Sequence, residues 1–151
     1  MSADLLLVLN RVARSMESVV PGLELTAQIG APVWLEDDRV ENTDALVGSA
    51  AGGEWVNALG FVMRYQGIWL GGFEHASSGS DRERVQAVAL ELMSQVQDVV
   101  AEATTEPWPL VVVGNRRDMA LADAAIEGHD LHMWYGEHGA PALKLPSVHL
   151  L

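Results

Sequence analysis

Apolar positions along the chain recur with two different periods, and the change between them falls in the polar stretch Ala76–Ser80. Upstream, Glu54–His75 reads EWVNALGFVMRYQGIWLGGFEH, with two apolar runs, Trp55–Tyr65 and Ile68–His75, hinged at Gln66-Gly67. A Gly at the second turn position accepts positive φ without steric cost, which predicts a tight β-hairpin. Trp55, Leu59, Phe61, Met63 and Tyr65 take odd positions while Val56, Ala58 and Val62 fill even ones. Both faces are therefore apolar, as in strands covered on both sides. Gly60, Gly71 and Gly72 remove side chains in mid-strand. They predict a bulge or a close approach there, by a packed helix, a small ligand or another subunit.

Downstream the period becomes helical. Ser80 precedes a first turn carrying Asp81 and Glu83, the arrangement that satisfies free N–H groups at a helix start. Val85, Val88, Ala89, Leu92, Met93, Val96, Val99, Val100 and Ala103 share one face of the helix that follows. Glu91, Ser94, Gln95, Asp98 and Glu102 take the other, so the helix is amphipathic and the adjacent hairpin is its natural partner. Leu90, with Ala87 and Ala101, forms a second face of small residues suited to a helix-mediated dimer.

A second amphipathic helix is expected over Ala3–Val20, stopped by Pro21-Gly22, with Leu7 and Val8 widening its apolar arc. Such a helix is buried on two sides or meets another subunit. Leu23, Leu25, Ala27 and Ile29 alternate with Glu24, Thr26 and Gln28, predicting a half-buried strand. Val33-Trp34-Leu35 begins a short strand before the acidic loop Glu36-Asp37-Asp38; Val40–Val47 fits strand or helix, and GSAAGG (Gly48–Gly53) reads as a loop. Beyond Pro107-Trp108-Pro109 the pattern predicts a short buried strand at Leu110–Val113 and a short helix at Asp118–Glu127. A hairpin of Leu131–Tyr135 with Ala142–Leu145 and an apolar tail, PSVHLL, docked on the body or on a partner, complete the expectation. Together these elements predict one α+β domain over residues 1–151. An antiparallel β-sheet packs against an N-terminal helix and a long central helix, and residues 107–151 form a C-terminal β-rich extension.

Charge narrows the partners. The net charge is −12, with acids spread along the whole chain rather than gathered in a tail. Nucleic acid and anionic membranes need clustered Lys and Arg, so neither is expected as a partner. A basic protein is. No apolar run reaches the roughly 20 residues that cross a bilayer, and Met1–Asn10 lacks a basic leader segment. A cytoplasmic location follows as an expectation, consistent with the absence of Cys, which also removes disulfides and thiolate metal sites. Eight Arg against one Lys (Lys144) suggests a bacterial coding bias.

Catalytic signatures are missing. The nucleophile elbow, HExxH, GxGxxG, the P-loop and the EF-hand pattern do not occur, so no enzymatic role and no cofactor are expected. Two weaker constellations remain. Four of the five His lie in the last 23 residues, and Asp130, His132 and His138 would converge on a strand and its turn as ligands for a borderline metal. Among the five Trp, Trp55 and Trp69, with Tyr65, are candidates to line a small-ligand cavity.

The run Arg64–Val100 resembles the C-terminal half of a GAF domain. In that family a strand passes through a tight Gly-containing turn into an "IGVL"-type strand, then a polar loop and a long helix that packs on the sheet. Gln66-Gly67, Ile68-Trp69-Leu70-Gly71 and Ser80-Asp81 take those places, and the helix Ala3–Val20 with the strands after it suits the order. The resemblance covers about half the chain. It implies a non-catalytic regulatory module that binds a small ligand or a protein and forms a homodimer. The charge supports an alternative: an acidic interaction protein, such as an immunity protein, chaperone or inhibitor, that captures a basic protein.

Overall fold

The computed structural model describes residues 3–30, 58–74 and 79–150. It shows an α+β fold in the order α1 (Ala3–Glu17), β1 (Leu23–Ile29), β2 (Leu59–Tyr65), β3 (Ile68–Glu74), α2 (Asp81–Thr104), β4 (Leu110–Val113), β5 (Arg116–Met119), β6 (Ala122–Glu127), β7 (Asp130–Glu137), β8 (Ala140–Lys144) and β9 (Val148–His149). The expected strand at Val33–Leu35, the loops around it and Trp55 lie outside the described residues.

Strands β1, β2 and β3 form an antiparallel sheet in that order. β2 and β3 are joined by a two-residue turn, with Tyr65 opposite Ile68. Gln66 and Gly67 both take positive φ, 49° and 82°, the backbone of a type I′ turn, which matches the strand twist. The register runs without a break from Leu59–Glu74 to Tyr65–Ile68, so Gly60, Gly71 and Gly72 mark no bulge. β1 alternates as its sequence predicts, with Leu23, Leu25 and Ala27 buried and Glu24 and Thr26 exposed.

Helix α2 is the longest element. Ser80 and Glu83 form a reciprocal cap: the Ser80 hydroxyl accepts from the Glu83 N–H, and the Ser80 N–H donates to Glu83 Oε2 at 2.8 Å. Val88, Ala89, Leu92, Met93 and Val96 are almost fully buried. This stripe touches β2 and β3 and also β6. α1 is three residues shorter than expected, its tip closing in a turn before Pro21. It buries Leu5, Leu9, Val12, Ala13 and Met16 against β1 and β9. Val8 is buried as well, but Leu6 and Leu7 are exposed.

The C-terminal region departs from expectation in two places. Asp118–Glu127 is not helical; it holds the end of β5 and all of β6. Its Ala-rich composition favours helix locally, but β7 supplies six paired positions, from Ala122–Tyr135 to Glu127–Asp130, and tertiary pairing overrides propensity. β4 is a strand, as expected, yet Leu110, Val112 and Val113 are exposed and Val111 alone packs toward the core. β4 pairs with β5 as a two-stranded ribbon. Ala120 N–H donates to the Pro109 carbonyl, whereas the Leu121 carbonyl accepts from Gly136 N–H, so the bend between β5 and β6 passes the chain from one pairing partner to the next.

β7 is the centre of the other sheet, pairing with β6 on one edge and with β8 and β9 on the opposite edge. Its inward residues Leu131, Met133 and Tyr135 are fully buried. The Tyr135 hydroxyl donates to the Met93 carbonyl of α2 at 2.8 Å, and Trp108 meets the Tyr135 ring edge-on at 5.2 Å. The apolar tail docks on the body: Val148 and Leu150 are buried, and the Ser15 hydroxyl of α1 donates to the Pro146 carbonyl.

Leu92 has the core on every side, so Leu92→Ala removes buried methyl groups and leaves a cavity. A loss of about 2–5 kcal/mol is expected, read as a fall in the urea midpoint at unchanged slope. The cap makes a second, pH-dependent prediction. The Ser80 N–H, then the Ser80 hydroxyl, hold Glu83 below the ordinary value of 4.5. A carboxyl lowered on folding stabilises above its unfolded pKa and loses that contribution as pH falls through the folded value. Glu83→Gln keeps a capping side chain but removes the titration. Wild type is therefore more stable than Glu83→Gln at pH 6, and the gap narrows as pH falls below the ordinary carboxyl value of 4.5. A gap independent of pH would contradict this.

Candidate functional site

Among the described residues, a recess lies on the outer face of β7. On this strand Leu131, Met133 and Tyr135 point inward, so Asp130, His132 and Trp134 occupy the opposite face. β8 runs alongside, with Lys144 directly across from Trp134. The two-residue turn at His138-Gly139 folds the His138 ring onto the Trp134 indole, with centroids 4.7 Å apart and planes 27° from parallel. A bulge shapes the rim. Tyr135 pairs with Leu143 but Gly136 pairs with Pro141, leaving Ala142 over. Gly136 has φ 103°, and a Cβ there would meet the Ala142 nitrogen at 2.9 Å, so this close approach requires glycine.

The result is a recess of about 200 Å³ lined by Glu127, His132, Trp134, His138, Pro141 and Lys144. Glu127 Oε2 lies 3.8 Å from His132 Nε2. Trp134 is only 5% exposed, and its buried indole N–H finds no acceptor among the described residues. Leaving a buried donor unpaired costs on the order of 1–3 kcal/mol, which makes this N–H the most unusual polar group at the site. Lys144, the chain's single Lys, makes no ion pair among the described residues.

The metal candidates separate. His132 and His138 both reach the recess, but Asp130 sits where β9 joins β7 and pairs with His149, Oδ1 to Nδ1 at 2.9 Å. Among the described residues no group of three His, Cys, Asp or Glu is placed to hold a metal ion. Tyr65 is buried at the end of β2 opposite Leu23, Trp69 is a β3 residue paired with Arg64, and Trp55 lies outside the described residues. The register puts positions 65 and 69 on opposite faces of the sheet.

Two other surface features lie away from this recess. A wider groove of about 680 Å³ runs between α1 and the tail. Its cations are already engaged: Arg11 donates to the His149 carbonyl at 3.0 Å, and Arg14 donates to the Leu25 carbonyl and pairs with Glu17, both at 2.9 Å. The ribbon β4–β5 presents Leu110, Val112 and Val113 to solvent, and Leu121 beyond it is 76% exposed. Among the described residues β4 pairs with β5 alone, and none of them bonds the backbone groups of its outer edge.

Two carboxyls and a phenol are held away from ordinary ionisation, and each shift has a structural cause. Glu83 is lowered by the Ser80 cap. Asp118 is lowered by the Met119 N–H, then by Arg116. Burial raises Tyr135. None of them lines the recess. No family model, no curated protein and no solved structure matches the chain.

His138→Ala uncovers the Trp134 ring and removes a stacked pair, at a cost of about 0.5–1.5 kcal/mol. Tryptophan emission is expected to shift to the red, and the shift should vanish when the same change is made in a Trp134→Phe background. A shift that persists there would come from another Trp and refute the stacking assignment.

Proposed function

We propose that this chain is a non-catalytic binding module, GAF-like and regulatory in role, that associates with a second copy of itself through strand β4. The observation that carries the reading is the open edge of β4, where Val112 and Val113 are 61% and 68% exposed. Burying a Val side chain is worth roughly 1.5–3 kcal/mol, and an unpaired strand edge invites another strand. A second copy suits this edge for two reasons. Leu110–Val113 carries no charge, so the seam itself is free of like-charge repulsion in a chain whose net charge is −12. Antiparallel pairing across a two-fold axis is also self-complementary, each copy's free N–H and C=O groups meeting the other's. The exposed Leu6 and Leu7 of α1 support a binding role on a further surface. The non-catalytic part of the reading is supported by the missing motifs and by ionisation shifts that cap, turn and core explain.

Salt distinguishes this reading from capture of a basic protein. Two acidic copies repel at long range, so self-association strengthens as salt rises; an acidic–basic complex weakens. Sedimentation equilibrium is expected to give twice the 16.3 kDa monomer mass, more completely at 500 mM than at 50 mM NaCl. Val112→Lys, at an exposed position, should give a folded monomer at both. A wild-type chain that stays monomeric at high micromolar concentration, or a dimer untouched by Val112→Lys, rejects the β4 interface.

A further inference from the structure

We infer that two copies of the chain join through β4 in a single register, with the two-fold axis at Val111 and Leu110 opposite the partner's Val112. This deepens the self-association reading and rests on it. The register follows from which backbone groups point outward. Along a strand, residues alternate between those whose N–H and C=O face one neighbouring strand and those whose groups face the opposite edge. The Ala120 N–H donates to the Pro109 carbonyl at 2.9 Å, so position 109 faces β5. Val111 and Val113 share its parity and face β5 as well, opposite Asp118 and Arg116. Leu110 and Val112 therefore turn their N–H and C=O to the open edge. Pro109 removes no donor from that edge, because the N–H it lacks belongs to the β5 side.

A second β4 has to meet outward groups with outward groups. Setting Leu110 against the partner's Val113 puts an outward residue against an inward one and forms no ladder. An axis at Leu110 or at Val112 pairs that residue with its own copy and leaves the other outward residue facing chain beyond the strand. An axis at Val111 uses both. Leu110 and the partner's Val112 then exchange both of their N–H···O bonds on each side of the axis, and Val111 meets the partner's Val111 at the closer, non-hydrogen-bonded spacing. The same register sets Leu110, 41% exposed, beside the partner's Val112 on one face, where the two apolar side chains cover each other. Arg116, Arg117 and Asp118 stay on the outer strands of the resulting four-stranded sheet, away from the seam.

The chain has no Cys, so single substitutions report the register through disulfide formation under mild oxidation. Residues directly opposite each other lie about 4.5–5.5 Å apart at Cα, within the ~4.4–6.8 Å that a disulfide spans, and a shift of two positions carries them beyond ~7 Å. Val111→Cys is expected to form a covalent dimer at least tenfold faster than Ser94→Cys, an exposed control on α2. Leu110→Cys and Val112→Cys should each stay near the control rate alone, while an equimolar mixture of the two cross-links at least tenfold faster. The mixture decides, since both of its positions are exposed and neither disturbs the core. Faster cross-linking by either variant alone than by the mixture overturns the register and leaves self-association standing. Cross-linking at the control rate throughout overturns the register if wild-type sedimentation still gives a dimer, and overturns the β4 interface itself if it gives a monomer.

Discussion

The buried stripe of α2 is the interaction on which the rest of the structure depends. Its apolar face touches β2 and β3 on one side and β6 on another, so one helix closes the core for two separate sheets. Neither sheet is self-sufficient: a three-stranded antiparallel sheet buries its apolar side only against something laid across it. The helix start is tied down by the Ser80–Glu83 cap, and the Tyr135 hydroxyl anchors its middle to β7. The stripe and the cap therefore do different jobs. Burial supplies most of the free energy, and the directional bonds decide where along β6 and β7 the helix comes to rest.

Those directional bonds also solve a problem of the sheet. β6 is an edge strand with β7 on one side only. On the other side the carbonyls of Ala120, Ala124 and Gly128, four residues apart, accept from Gln97, Gln86 and Arg82 of α2. The helix thus covers the strand edge with side-chain donors instead of a further strand. Gln97 is consequently buried among apolar neighbours without an unmet polar group. On the helical wheel of α2, Gln86 and Gln97 border the apolar stripe beside Met93 and Val100. In the fold, they face the neighbouring backbone.

Legibility in the sequence followed the strength of local signals. The Gln66-Gly67 turn, the capped helix and the alternating β1 were readable because turn chemistry, capping and period pointed the same way. The segment Ala122–Glu127 was not, because Ala carries little information about facing and only Ile126 is strongly apolar. What makes it a strand is β7, which begins eight residues downstream of its start, and pairing of that kind leaves no mark inside the strand. Val111 shows the converse limit. Four consecutive apolar residues suggested burial, but only one of them meets the core. At the recess, the meeting of His132 and His138 was readable from the expected hairpin. The loss of Asp130 to His149 was not, since it depends on β9 joining β7 at Asp130 and Leu131. Trp134 and Lys144 escaped notice because their cross-strand pairing depends on a register that the bulge at Gly136 resets.

The contrast between β6 and β4 bears on function more than either strand does alone. The same chain that spends three α2 side chains on carbonyls of β6 and the residues flanking it leaves the outer edge of β4 without donors or acceptors from the described residues. A strand edge left open is ordinarily guarded by charge, by Pro or by a bulge. Pro109 precedes β4, and the charged residues of the ribbon, Arg116, Arg117 and Asp118, sit on β5, with Arg116 and Asp118 paired to each other at 2.6 Å. The edge from Leu110 to Val113 has none of these guards. Apolar exposure and unbonded backbone coincide on one four-residue strand, and each raises the free energy of leaving that strand in water. A partner strand would remove both penalties at once, which is the physical basis for proposing that a second chain binds at the open edge rather than at the wider groove beside α1.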